Sequence, residues 1–519
     1  MRSNRIDPGL QRRARRALAW LAACVCACAC GSQPEQAAAE SALIVLLPRD
    51  VQEIDPRFTG DAYGHKLSRL LFASLVTIDP DSLEVVPDLA DRVDVDTPIR
   101  YRVRLRPGLH FSDGSTLDAA DVAATYRSVV DPALGTRYAR TYQRIARVHV
   151  EDALTLVFEL TGPHATFLTD LELPILRAED ERRHVGGLDA PAPIGAGPYV
   201  LAHREAGRIE LSANPHWHRG APLHPNVQML VVRDDNTRAL RMLAGAGDLA
   251  LNAIPPLLLP LFEEDERFSV QSAPGVGTTY LGLNMEAAAL GDVRVRRALA
   301  HAIDRSTLIR TKLAGRARAA QGWIVPGHWA FAPDAPRYEY APERARALLD
   351  EAGFGAPGRP PLRLTLRCGS DRFRQSVARA IAAMLSNVGI EVELRPSEVA
   401  TLIADLNRGR FELTMLEVPE VVEPHVLTWF FGSDHVPGRG REGANRWRLR
   451  SAELDAALER GRVRVEREAR IEAYREVQRI LAEELPIIPL WHEDVVAVRG
   501  REARAVRVPR LGRFDTLAR

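Results

Sequence analysis

One strand–helix–strand succession limits the fold of this chain more than any other feature. Leu362-Arg363-Leu364-Thr365-Leu366 reads as a strand, residues 373–387 as a helix, and Gly389-Ile390-Glu391-Val392-Glu393-Leu394 as the next strand. Such an order needs a crossover connection and predicts α/β architecture with mainly parallel pairing. Other segments agree. Leu43-Ile44-Val45-Leu46-Leu47 has the look of a short buried strand, and 101–105 and 154–160 read as further strands around a helix at 118–130. Val295, Ala298, Leu299 and Ala302 recur at helical spacing over 293–303. A helix over 342–352 starts on Pro342, tolerated in a first turn, and stops at Gly353. A last helix, 468–484, ends at Pro486, before the apolar Ile487-Ile488-Pro489-Leu490-Trp491.

With 519 residues, the chain has room for three to four domains at about 150 residues each. Its 69 Lys+Arg balance 68 Asp+Glu to a net charge of +1, which argues against a nucleic-acid partner. Only Lys66 and Lys312 are lysines; the other cations are arginines. The N-terminus reads as an address. Arg12, Arg13, Arg15 and Arg16 precede an uncharged run over 17–29, shorter than the ~20 residues of a membrane span and shaped like an export signal. Cys24, Cys26, Cys28 and Cys30 fall here, in a spacing unsuited to zinc, and leave Cys368 as the one thiol of the body. Leu21-Ala22-Ala23-Cys24 resembles a bacterial lipobox; Cys30, followed by Gly31-Ser32, is the competing lipidation site, and an ordinary cleaved signal is the third reading.

From about residue 43 onward, a series of motifs in order resembles one family, the extracytoplasmic solute-binding proteins of peptide-type ABC importers. Ile54-Asp55-Pro56 resembles its early L-D-P, and Val86-Pro87-Asp88-Leu89-Ala90 its "vPdLAe". Residues 101–114 follow "ytftLRpgvkFhDG", and Ile194-Gly195-Ala196-Gly197-Pro198-Tyr199 is similar to "vGtGPY". Asn214-Pro215-His216-Trp217 resembles "NpdYw", and 292–299 "DvRVRqAL". Turn chemistry explains several of these, including Arg106-Pro107-Gly108 and Asp113-Gly114, and Asp292 reads as a helix N-cap. His216 and His218 lack a third metal ligand nearby.

The resemblance implies a class II periplasmic-binding-protein fold, two lobes and a hinge with an extra inserted domain. Its expected layout is a signal and tether over 1–41, lobe I over 42–75, 191–277 and 483–519, an inserted domain over 76–190, and lobe II over 278–482. It also implies a ligand enclosed between the lobes. In Glu420-Val421-Val422-Glu423-Pro424, the family's D-x-x-[DE]-P pattern makes Glu420 the partner of a peptide ammonium and Glu423 a turn residue. Glu replaces the family's Asp, and Glu417 and Val418 stand where an aromatic and small residues are usual. Gly60, Asp61, Ala62 and Tyr63 follow the L-D-P equivalent, where the family lines its pocket. Thr279, Tyr280 and Asn284 belong to a segment resembling the crossover strand, and Arg372 and Phe373 to the opening after Cys368. Trp429, Trp447 and Asn445 complete the candidates.

No G-x-S-x-G elbow, H-E-x-x-H or phosphate-binding G-x-x-x-x-G-K-[ST] is present, so no catalytic residue, metal or cofactor is expected. The expected protein is a lipid-anchored monomer in the cell envelope that hands a peptide to separate permease and ATPase chains. The same scaffold also serves nickel chelates, haem, opines and oligosaccharides. A periplasmic hydrolase or chaperone-like protein is the reading from another class.

Overall fold

The computed structural model describes residues 42–187, 191–354, 361–418, 420–438 and 443–518. The export segment, with Cys24 and Cys30, lies outside the described residues. No helix among the described residues is long and apolar enough to cross a membrane.

Two large sheets organise the body. A seven-stranded sheet runs in the order Ser269–Ala273, Val495–Arg499, Leu249–Leu251, Leu43–Leu47, Asn226–Val231, Arg208–Ala213 and Tyr199–Glu205. A six-stranded sheet runs Ala317–Ala319, Ile487–Glu493, Thr278–Leu283, Leu413–Val418, Leu362–Gly369 and Ile390–Ser397. Their central strands are buried on two faces. Leu43, Val45 and Leu47 enter one core and Leu46 another, the period of two expected of a strand. In the second sheet Leu281 and Leu283 face a helix-covered core, whereas Tyr280 packs into a second core behind it. Double-sided burial explains why these strands read as continuous apolar runs.

The inserted segment carries a four-stranded antiparallel sheet in the order Ala90–Thr97, Arg100–Leu105, Thr155–Leu160 and Ile145–Asp152, closed by the helix Ala119–Val130. Asp118 caps that helix in a reciprocal capping box with Asp121.

Parallel pairs are the minority, contrary to the expectation from the β-α-β succession. Leu43–Leu47 runs parallel to Asn226–Val231 and Leu249–Leu251, and Leu362–Gly369 to Ile390–Ser397 and Leu413–Val418. The other pairs are antiparallel, because they close by hairpins or by strands arriving from the opposite sheet. The chain crosses between the sheets twice, between Ala273 and Thr278 and between Glu493 and Val495. Membership of the six-stranded sheet thus extends to Glu493 rather than stopping at 482. At this double crossing the backbones touch: a Cβ on Gly275 would collide with the Glu493 carbonyl.

Candidate functional site

The crossing strands place the Thr278–Thr279 end of the second sheet close to the helix Ala62–Leu71 of the first. That helix starts at Asp61, whose carboxylate accepts from the Tyr63 and Gly64 N–H groups at 3.0 and 2.8 Å. Asp61 is thus a cap, a role that stabilises a helix by about 1 kcal/mol. Gly60 and Ala62 are exposed beside it, and a Cβ on Gly60 would press only on the movable guanidinium end of Arg137. Asp55 of the L-D-P equivalent is wholly buried and paired with Arg57 at 2.8 Å, which fixes the approach to the cap.

One turn into the helix, the Lys66 ammonium lies 5.2 Å from the Tyr63 ring and 5.3 Å from that of Phe514. Two aromatic faces hold the cation by its attraction to their quadrupoles. Burial pulls the Lys66 ammonium down to about 8, against the opposing pull of Glu420. Burial also pushes the Tyr63 phenol up to about 12.

The opposite wall is acidic. Thr279 pairs across the sheet with Glu417 on one side and Trp491 on the other, with a bulge between Thr279 and Tyr280. The Thr279 hydroxyl donates to Glu493 at 3.2 Å, and the Trp491 indole N–H to the same oxygen at 3.1 Å. Among the described residues no cation stands within ion-pair distance of Glu493. Glu417 accepts from Arg374 at 3.3 Å and keeps 35% of its side chain exposed. Burial and then the Glu493 charge push the Glu417 carboxyl up to about 7, with Arg374, Arg49 and Lys66 opposing. These residues and Phe373 line a cavity of about 130 Å³. Arg372 is exposed, and its charge reaches Asp234 on the first lobe; Asp234 is held below the usual carboxylate range first by the Thr237 N–H and then by Arg238 and Arg372.

Glu420 sits differently. Arg513, near the C-terminus and 5% exposed at its side chain, reaches both Glu420 oxygens at 3.3 and 3.4 Å and Glu172 of the inserted segment at 2.6 Å. Arg69 adds a bond to Glu172 at 3.2 Å. Burial works against the Arg513 charge, but Glu172 and Glu420 outweigh it, and the guanidinium is held more firmly than in water. Glu423 accepts from the His425 N–H at 3.0 Å and pairs with Arg470 at 2.6 Å, a turn residue with an ion pair.

Other sequence candidates sit in the frame. Tyr280 packs against Trp323 and Trp447 in the core, and Trp447 is fully buried. Asn284 donates to the Phe411 carbonyl at 2.8 Å. Asn445 donates to the carbonyls of Phe431, Gly432 and Leu449, so its amide is committed to the backbone. Trp429 packs on His435, and His218 bonds Asp88 at 2.9 Å. Lys66, Arg513, Trp491 and Glu493 were missed. Lys66 had a faint signal, as one of two lysines where 69 basic residues are otherwise arginine.

The bacterial extracellular solute-binding proteins, family 5 (middle region), match residues 84–434. Di/tripeptide-binding protein 2 of Pseudomonas aeruginosa (strain UCBPP-PA14) is 28% identical over 88% of this chain and 90% of its own length. Among solved structures, NikA from Brucella suis in complex with Fe(III)-EDTA superposes with a TM-score of 0.83 at 23% identity, over 92% of this chain and 99% of NikA. The oligopeptide-binding protein AppA from Bacillus subtilis, in complex with a nonapeptide, gives a TM-score of 0.76 at 21% identity, over 92% of this chain and 98% of AppA. Two sheets joined by paired crossing strands, with an inserted domain and a match over most of the body, place this chain in the extracellular solute-binding proteins of family 5.

Proposed function

We propose that this chain is the lipid-anchored receptor of an ABC importer, tethered through Cys24 or Cys30, which encloses a short free-amine peptide between its lobes. It acts by binding rather than catalysis, as a monomer, and delivers the peptide to separate permease and ATPase chains. The observation that carries the reading is the acidic wall at the interlobe end of the second sheet. Among the described residues Glu493 has hydrogen bonds but no cation within ion-pair distance, and beside it Glu417 is kept short of full ionisation by burial. A ligand ammonium placed there supplies the missing charge, and a charge-assisted bond of this kind contributes more than a neutral one. Glu420, whose charge acts on the same Lys66 that Glu417 reaches, joins the ammonium site in this reading, with Arg513 holding its carboxylate in place. Tyr63, Thr279, Arg372 and Phe373 form the surrounding wall. Closure turns on the paired crossings at 273–278 and 493–495, driven by ligand contacts with both lobes.

A thermal-shift series tests this. Free-amine tripeptides should raise the melting temperature, since binding to the native state alone stabilises it, and their N-acetylated forms should not. Glu493→Gln should weaken free-amine binding about tenfold or more, the equivalent of about 1.4 kcal/mol. Glu420→Ala should weaken it as well. Equal stabilisation by acetylated peptides would remove the ammonium site. No stabilisation by any peptide, with a response to a nickel chelate, haem, an opine or an oligosaccharide, would keep the receptor but replace its ligand.

A further inference from the structure

A second cavity, of about 440 Å³, lies within the second lobe, between the helix Arg467–Glu484 and the segment 319–340. Its volume is in the range of small-molecule sites, roughly 300–1,000 Å³. The strand Ile487–Glu493 separates it from the interlobe site: Glu493 marks the interlobe end, while Ile487 and Pro489 line the cavity toward the other. At ~3.3 Å per residue the strand ends are roughly 20 Å apart.

The lining is mostly apolar; of its two arginines, Arg337 is exposed, and Arg305 is half-buried. Ile324, Phe331, Leu427, Phe431, Leu481 and Ile487 form the walls. Arg305, which also lines the cavity, donates to the carbonyls of Pro489 at 2.8 Å and Tyr338 at 2.6 Å. No carboxylate among the described residues lies within ion-pair distance of it. Burial alone pulls its guanidinium down to about 10, with no acid opposing. Two acids also line the cavity: Asp304 is committed as the cap of the helix Arg305–Lys312, and Glu339 is exposed. Trp323 lines the same cavity, is 3% exposed, and its indole N–H has no acceptor. A half-buried cation without a counter-charge and a buried donor without an acceptor among the described residues are both costly.

We propose that this cavity is a second ligand site, which takes a compact apolar carboxylate: the carboxylate group answers Arg305, and the hydrocarbon body fills the space walled by Trp323, Phe331 and Leu481. The site is independent of the interlobe reading, because no residue is shared between them.

The test is calorimetric titration of the full chain with 3-phenylpropionate, 3-phenylpropan-1-ol and 3-phenylpropylamine. The acid should bind saturably and at least tenfold more tightly than the alcohol, and the amine least. Arg305→Gln should remove the preference for the acid. Because that arginine also ties Pro489 and Tyr338, Ala482→Phe is the second variant: it fills the cavity from the half-buried helix face without touching Arg305. Loss of acid binding in Ala482→Phe, with free-amine tripeptide binding unchanged, supports the site. Equal binding of acid and alcohol, or acid binding unaltered by Ala482→Phe, would overturn it.

Discussion

Glu417, in the strand Leu413–Val418, and Glu420, just beyond it, stand three positions apart, yet their charges are handled in opposite ways. Glu420 is knotted to Arg513, which also holds Glu172, so three parts of the chain meet on one guanidinium. Glu417 has Arg374 on one side but shares its space with Glu493, and burial leaves its carboxyl up near 7. The family pattern points to Glu420, whereas Glu493 has no cation within ion-pair distance among the described residues and Glu417 beside it is pushed toward its neutral form by burial. A motif fixes where a residue falls along the chain; it does not say which neighbour has already neutralised it.

The largest effect expected from this contrast is on stability. Arg513→Met would leave Glu172, whose side chain is 14% exposed, with only Arg69, and Glu420 with no cation in the knot. Breaking a buried pair by removing one partner costs about 3–5 kcal/mol. Urea unfolding of the unliganded protein should show a loss of that size, and a loss below about 1 kcal/mol would mean that the knot does not join the lobes energetically.

A smaller effect separates the acid pair by pH. Glu417 has its folded pKa above its ordinary value of 4.5, so its contribution to stability is full below about 4.5 and is lost as pH rises through about 7. Ligand binding runs the other way, because an ammonium prefers the ionised acid. Between pH 7 and 5, therefore, the unliganded fold should gain stability while affinity for a free-amine tripeptide falls, by up to about tenfold or about 1.4 kcal/mol. Glu417→Gln should flatten both profiles. An unchanged profile in that variant would assign the titration to another group.

The frame was legible where local chemistry acts alone. Leu43–Leu47 as a buried strand, Asp292 as a cap accepting from the Arg294 N–H at 2.8 Å, and Gly353 as a helix stop at positive φ all follow from short-range rules. Pairing direction was not legible, because a crossing strand that enters from the other sheet carries no local mark. Asn284 and Asn445 read as pocket polar groups but satisfy buried carbonyls, and nothing in the sequence names the acceptor. The same holds for Arg513: its partners lie 341 and 93 positions away, beyond any spacing argument.

The smallest effect asks which acid Lys66 faces. Its folded pKa is depressed from 10.5 to about 8, so its contribution to stability is full above about 10.5 and is lost as pH falls toward 8. Over that alkaline window the native protein should gain stability relative to Lys66→Met, a difference that cancels the titration of shared groups. Of the acids that support the Lys66 charge, Glu420 acts more strongly than Glu417. The Lys66 titration should therefore move further down in Glu420→Gln than in Glu417→Gln, by a few tenths of a unit, within reach of direct observation of the Nζ resonance by NMR. The reverse order would place Lys66 over the acid pair and make it the cation a ligand ammonium has to displace.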